Sequence, residues 1–370
     1  MQKTLDVAVS GYYGCGNAGD EAVLAGIHEA FVRRSGARVK LTVLSQDPVA
    51  TTSLHGLAAT ERMNLESLRR TLRGSDLLIS GGGSLLQDTT SMRSLLYYLF
   101  VTRMAYARRV PVMFYAQGIG PLRRPLARSL VRIAANRAAA ITVRDPASAQ
   151  LLRDIGVVNP SLEVTADPAF ALSPAPDCAV DELMAAERLP ADEPLIGVAL
   201  RPWGGTGESP VCDYATLIER LAVNCSARVV LLTMQVPGDV AFAEEVVRQT
   251  ADPRAYPIIR KAYPPYVVLG LIGRFEAVVA MRLHALIFAA HTATVPFALA
   301  YDPKVDHLMR GLGLEDALED WRAFDPVAVS ERVAGMLADR TARVSTLRAQ
   351  IPELEKRALR NADRALEIFD

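Results

Sequence analysis

Residues able to do chemistry recur in this chain just after short hydrophobic runs. The first group is Gly11-Tyr12-Tyr13-Gly14-Cys15-Gly16-Asn17-Ala18-Gly19-Asp20-Glu21-Ala22. Gly14 to Gly19 formally match GxGxxG, the dinucleotide fingerprint. Two details oppose that use. Asp20 stands where the next helix begins and would repel a pyrophosphate that the helix N-terminus otherwise attracts. No acidic residue stands at the expected end of the second strand, where a ribose would be bound; the first candidate, Asp47, comes late. Asp20 therefore reads either as a helix N-cap or as a base or acceptor for a sugar hydroxyl. Tyr12 and Tyr13 read as core aromatics or as a sugar-stacking platform, with Gly16 and Asn17 beside them.

Gly81-Gly82-Gly83-Ser84-Leu85-Leu86-Gln87-Asp88 follows the third run. Consecutive glycines are unfavourable there unless backbone must approach something closely. Gly82, Gly83, Gln87 and Asp88 thus join the candidate acceptor-sugar residues, and Asp88 is a second candidate base or a helix cap. Gln117-Gly118-Ile119-Gly120-Pro121 ends the fourth run. Arg144-Asp145-Pro146 ends the fifth and Ala166-Asp167-Pro168 the sixth. Asp-Pro is the pattern of an N-cap with proline at N1, which accounts for Asp145 and Asp167. Arg144 suits either a structural ion pair or a carboxylate or phosphate ligand.

The second half of the chain is cationic at the same places. Arg201-Pro202-Trp203, Arg282-Leu283-His284-Ala285 and Tyr301-Asp302-Pro303-Lys304 each follow a hydrophobic run. Charges of this kind are expensive to bury unpaired, and a mobile anion would satisfy them together. His291 reads as a core histidine. His284 lies two residues from an arginine at a helix start, where anions are also favoured. The spacing of His284, His291 and His307 fits no metal motif, so no metal is expected.

Alternating strands and helices must position these residues. Strands are expected at 5–10, 39–44, 77–80, 112–115, 141–143 and 162–165, with helical patterns between them. After a Pro- and Ala-rich linker with one short helix, the alternation restarts with strands at 195–200, 228–232, 277–280 and 295–300, and the tail reads as two helices, the last able to pack back on the first domain. Such βα alternation makes parallel sheets covered on both faces. The expected fold class is α/β: two Rossmann-like domains facing a cleft, as in glycosyltransferase-B proteins. The boundaries read as 1–175 for the N-terminal domain on the acceptor side, a linker at 176–193, 194–340 for the C-terminal domain on the donor side, and a C-terminal helix at 341–370.

Length and composition agree with two domains: 370 residues, half of them hydrophobic. Lys plus Arg and Asp plus Glu both number 41, so no global field points to nucleic acid. The four cysteines form no CxxC pair, which argues for reduced thiols rather than a zinc site or disulfide framework. The N-terminus lacks a signal-peptide hydrophobic region. The apolar stretch 277–300 carries Arg282, His284 and His291, unlike a membrane span. A cytoplasmic protein is expected, with contact at the inner face of the membrane as an option.

The ordered set GYYGCGNAGDEA, GGGSLLQD, AQGIGP, VRDPAS and MRLHA resembles the polysaccharide pyruvyl transferases. The resemblance spans roughly residues 5–310 and is nearest to the CsaB type, which pyruvylates a cell-wall polymer so that surface-layer proteins can anchor. It implies a two-lobed fold, phosphoenolpyruvate (PEP) as donor, and a ketal bridging two hydroxyls of one sugar. It also implies that Arg282 and His284 contact the donor. The residues then divide into a PEP set (Arg201, Arg282, His284, Lys304 and Arg144) and an acceptor set on the first domain. His284 would be the general acid and Asp20 or Asp88 the base, with no cofactor beyond PEP itself. The expected acceptor is an N-acetylhexosamine of a cell-wall precursor. A lipid-linked acceptor would bring the Arg-rich segment 123–137 to a membrane; that segment otherwise reads as a solvated helix face. Competing readings are a nucleotide-sugar glycosyltransferase, a NAD(P) oxidoreductase and a non-catalytic sugar-binding module.

Overall fold

The computed structural model describes residues 4–89, 91–202, 210–322 and 325–369; Trp203 falls outside them. The chain divides into two compact units, residues 1–172 with 353–370, and residues 173–352.

The first unit holds β1 (Leu5–Ser10), α1 (Ala18–Ser35), β2 (Val39–Ser45), α2 (Pro48–His55), β3 (Ala58–Glu61), α3 (Leu65–Arg73), β4 (Leu77–Leu86), α4 (Met92–Ala107), β5 (Val112–Ile119), α5 (Pro125–Asn136), β6 (Ala140–Val143), α6 (Pro146–Asp154) and β7 (Leu162–Val164). The strands form one parallel sheet in the order β3-β2-β1-β4-β5-β6-β7. Its central strands are buried along nearly their whole length, as expected of a sheet covered on both faces. Leu72, Leu78, Leu95, Phe114, Val131 and Leu152 share one core cluster beneath α3, α4, α5 and α6. Each such side chain contributes about 1.5–3 kcal/mol by leaving water.

The second unit holds α7 (Asp177–Ala186), β8 (Leu195–Ala199), α8 (Val211–Asn224), β9 (Arg228–Leu231), α9 (Gly238–Val247), α10 (Pro265–Ile272), β10 (Ala277–Ala280), α11 (Leu283–His291), β11 (Val295–Ala300), α12 (Pro303–Gly311), β12 (Leu318–Asp320), α13 (Pro326–Ala338) and the start of α14 (Arg340–Leu366). Its parallel sheet runs β12-β11-β10-β8-β9.

The short helix expected in the linker at 176–193 is α7, which buries Val180 and Leu183 and packs on α10, and the linker belongs to the second unit. The residues from Glu353 onward group with the first unit, where the sequence lets the last helix pack back. There the fully buried Asn361 accepts from Thr165 Oγ1 at 2.7 Å and donates to the Ala166 carbonyl at 3.1 Å. Other elements differ from expectation, among them the unforeseen β12. The glycine run 81–83 lies inside β4 rather than after it, because pairing with β5 continues through Gly81–Tyr115, Gly83–Gln117 and Leu86–Ile119. Finally, β3 was missed, since Ala-Ala-Thr-Glu lacks a β-rich signature. Among the described residues, no helix is long and apolar enough to cross a membrane.

Candidate functional site

In open parallel sheets the loops at the carboxyl ends of the strands carry ligands. In the first unit these are the ends of β1, β4, β5 and β6.

The loop after β1 is held from inside. Asn17, not Asp20, caps α1, its side chain accepting from the Gly19 amide at 3.0 Å. Glu21 Oε1 accepts from the Gly14 amide at 2.8 Å, while Oε2 meets His55 Nε2 at 2.8 Å. Both side chains of that pair are buried, so a strut runs from α1 through the loop to α2.

Asp20, in the first turn of α1, lies against β4. A Cβ on Gly83 would sit 2.9 Å from Asp20 Oδ1, and Gly83 holds a φ of +78°; a side chain there is excluded on both counts. The structure thus brings Asp20 and Gly83 together. Gly82 has a different reason for being glycine: a Cβ would come within 1.8 Å of Val23 Cγ1, so it permits close packing of β4 on α1.

Three expected site residues turn out to be structural. Tyr13 is 1% exposed and belongs to the core, so it is not a stacking platform; Tyr12, at 37%, is available for that role. Asp88 is buried, and its carboxylate accepts from the Arg123 and Arg124 amides at 2.8 and 2.7 Å. Burial alone would raise its pKa, but these two amide bonds outweigh it and lower the pKa, which makes Asp88 a strut between loops and a poor base. Arg144 is likewise engaged. Its buried guanidinium pairs with Asp167 at 2.9 Å, donates to Ser84 Oγ at 3.0 Å and lies on Gly118. Asp145 and Asp167 cap the elements that follow them, as expected. Gln87 is half-buried and accepts from Thr89 Oγ1 at 2.6 Å.

Beside Tyr12 the structure assembles a group absent from the sequence reading. The Arg62 guanidinium, which follows β3, lies 4.6 Å from the Tyr97 ring centre, 5.7 Å from Tyr98 and 5.9 Å from Tyr12. It also lies near Cys15 and the Gly11 carbonyl. Its Nε is buried and has no partner among the described residues. Burial opposes its charge, but Tyr98, Tyr97 and Cys15 outweigh that and raise its pKa. Burial, then the Cys15 thiol and the Asp20 carboxylate, raise the Tyr12 phenol. Asp20, Tyr12, Cys15 and Arg62 therefore form one electrostatic neighbourhood.

In the second unit, β10 lies between β11 and β8. Arg201 follows β8 and Tyr301 follows β11, and they join across the end of β10. Arg201 donates to the Tyr301 hydroxyl at 2.8 Å with its guanidinium carbon 4.8 Å from the ring centre. Lys304 Nζ lies 5.5 Å from the same ring and 3.1 Å from Asp302, the cap of α12. Directly after β10, Arg282 occupies the N-cap position of α11 and His284 its first turn, half-buried. Arg282 forms an ion pair with Asp239, a buried residue at the start of α9. Asp239 also accepts from the Met234 and Gln235 amides, each at 3.0 Å. The expectation that Arg282 and Lys304 need a mobile anion for pairing is thus corrected, since each has a carboxylate of its own. Neither Tyr301 nor Asp239 was assigned a role from sequence.

With this geometry in view, the model of the polysaccharide pyruvyl transferase family matches residues 17–303. The chain belongs to that family. This pyruvyl transferase is accordingly a transferase of polysaccharide biosynthesis. No curated protein sequence matches the chain. Among solved structures, the transferase resembles S. aureus MnaA in its UDP co-structure at a TM-score of 0.64 and 12% identity, covering 99% of this chain and 95% of that one. UDP-GlcNAc 2-epimerase from Neisseria meningitidis, bound to UDP-GlcNAc, gives 0.62 and 12%, with 99% of both chains covered. Anabaena Alr3699/HepE in complex with UDP-glucose gives 0.60 and 13%, covering 99% and 98%. At such identities the likeness concerns fold alone: two parallel-sheet α/β domains of the glycosyltransferase-B kind.

Proposed function

We propose that this transferase moves the enolpyruvyl carbon unit of PEP onto a sugar of a cell-wall polysaccharide precursor, in the manner of the CsaB type. The product is a pyruvate ketal, and phosphate is released. The observation that carries the reading is the arrangement around the end of β10, where Arg282 and His284 are flanked by Arg201 and Lys304 at the Tyr301 ring. PEP bears a carboxylate and a phosphate, and arginine suits both. The N-terminus of α11 adds its dipole.

In this reading His284 donates a proton to the terminal carbon of the enol, which becomes the methyl group. The neighbouring carbon acquires oxocarbenium character and is attacked by a sugar hydroxyl. Asp20 takes that hydroxyl's proton. Phosphate leaves, and a second hydroxyl of the same sugar closes the ring. One proton ends on the methyl carbon and the other balances the released phosphate. A positioned acid of this kind supplies about 10²–10⁴-fold. Arg and Lys neutralise the phosphate, so neither a metal nor a further cofactor enters. The acceptor lies against Tyr12, Asn17, Asp20, Gly83 and Gln87, with Arg62 supplying guanidinium donors. An N-acetylhexosamine is the proposed acceptor and the cytoplasm the proposed location.

Ligand-induced stabilisation tests the donor. PEP at about 100 times its Kd should add roughly 2.7 kcal/mol to folding stability and raise Tm. A shift with UDP-sugars and none with PEP would favour the nucleotide-sugar glycosyltransferase instead.

A further inference from the structure

Acidic residues are as numerous as basic ones in the whole chain, at 41 each, yet none occurs between Asp88 and Asp145. That stretch carries ten arginines. It includes α4 and α5, which pack on each other over one face of the first unit's sheet and share its core cluster. Leu95 and Val101 of α4 and Ala127 and Val131 of α5 point into that core.

The outward sides are not simply polar. Leu96 and Phe100 are each 44% exposed on α4, and Leu126 and Ile133 are 61% and 55% exposed on α5. Exposed arginines alternate with them: Arg93 and Arg103 on α4, Arg128 and Arg132 on α5, and Arg123 and Arg124 just before α5. None of these six arginine side chains is paired with a carboxylate among the described residues; Arg128 Nε donates to the Leu122 carbonyl at 2.8 Å.

We propose that the α4–α5 face docks on an anionic lipid surface. A solvated helix face has no use for exposed Leu, Phe and Ile without neighbouring carboxylates. Nucleic acid or another polyanion would use the arginines but not the apolar side chains. A bilayer interface uses both, since the apolar groups enter the headgroup–acyl boundary and the guanidinium groups meet lipid phosphates.

Co-sedimentation of the full chain with vesicles tests this. Vesicles of phosphatidylcholine mixed with phosphatidylglycerol should retain several-fold more protein than phosphatidylcholine alone, and high salt should abolish the difference. Two double variants, Leu96→Ser with Phe100→Ser and Arg128→Glu with Arg132→Glu, should each lose binding while keeping a wild-type circular dichroism spectrum. Should either fail to fold, the exposed single changes Phe100→Gln and Leu126→Gln should each weaken binding. Equal binding to both vesicle types, no binding to either, or wild-type binding by the folded variants would overturn the proposal. So would retention on heparin or RNA without retention on anionic vesicles.

Discussion

Arg282 is held by the buried carboxylate of Asp239, which two backbone amides fix in turn. An arginine that the family resemblance assigns to the donor is therefore oriented by a residue 43 positions away in sequence. Asp239→Asn should raise the KM for PEP about 10- to 150-fold, the equivalent of a charge-assisted bond of about 1.5–3 kcal/mol, with a smaller change in kcat. Asp239→Ala, which strands a buried cation, should also lower stability by about 3–5 kcal/mol. Steady-state kinetics with an unchanged KM in a folded Asp239→Asn protein would remove Asp239 as the positioning residue.

His284 carries the proton in the proposed mechanism, so its loss should separate chemistry from binding. His284→Ala should reduce kcat roughly 10²–10⁴-fold while PEP still raises the melting temperature. Turnover near that of the wild type would assign the acid elsewhere.

Arg62 should matter to the acceptor and not to the donor. Arg62→Ala removes a cation stacked among Tyr12, Tyr97 and Tyr98, an interaction of about 0.5–2 kcal/mol. The KM for the glycan should rise by up to roughly 30-fold, with the KM for PEP unaltered. Arg62→Lys keeps the charge but not the planar fork, and should recover only part of the loss. A parallel rise in both KM values would indicate a general structural defect.

Asp88 should show itself in the pH dependence of stability. Its folded pKa is lowered, with the Arg123 and Arg124 amides outweighing burial, so its contribution is complete above the ordinary carboxylate value of about 3.9. The contribution disappears as pH falls through the lower folded value. Asp88→Asn should cost about 1–3 kcal/mol at neutral pH, and the gap from wild type should narrow below about pH 4. Denaturant titrations at several pH values will reveal a constant gap if the carboxylate charge is irrelevant.

Much of this arrangement was legible in the sequence because strand ends announce themselves. Hydrophobic runs followed by Gly, Asp or Arg located the loops after β1, β8, β10 and β11. The Asp-Pro pairs gave the caps at Asp145 and Asp167. What sequence could not supply was long-range pairing. Nothing local in VPGDVAF tells that Asp239 meets Arg282, or that Arg144 is taken by Asp167. Asp88 looked like a base because its two amide donors lie 35 and 36 residues away. The group around Arg62 was missed because β3 is short and weakly β-forming, which hid the strand end that Arg62 marks. Tyr97 and Tyr98 read as ordinary members of a helical apolar pattern.

The central claim is pyruvyl transfer from PEP, and following both products measures it directly. The purified chain would be incubated with PEP and N-acetylhexosamine-containing glycans, with phosphate assayed and the sugar examined by proton NMR for a new ketal methyl group. The account predicts equimolar phosphate and ketal, strictly dependent on the glycan and absent with His284→Ala. A glycoside formed from a UDP-sugar, with PEP untouched, would contradict it.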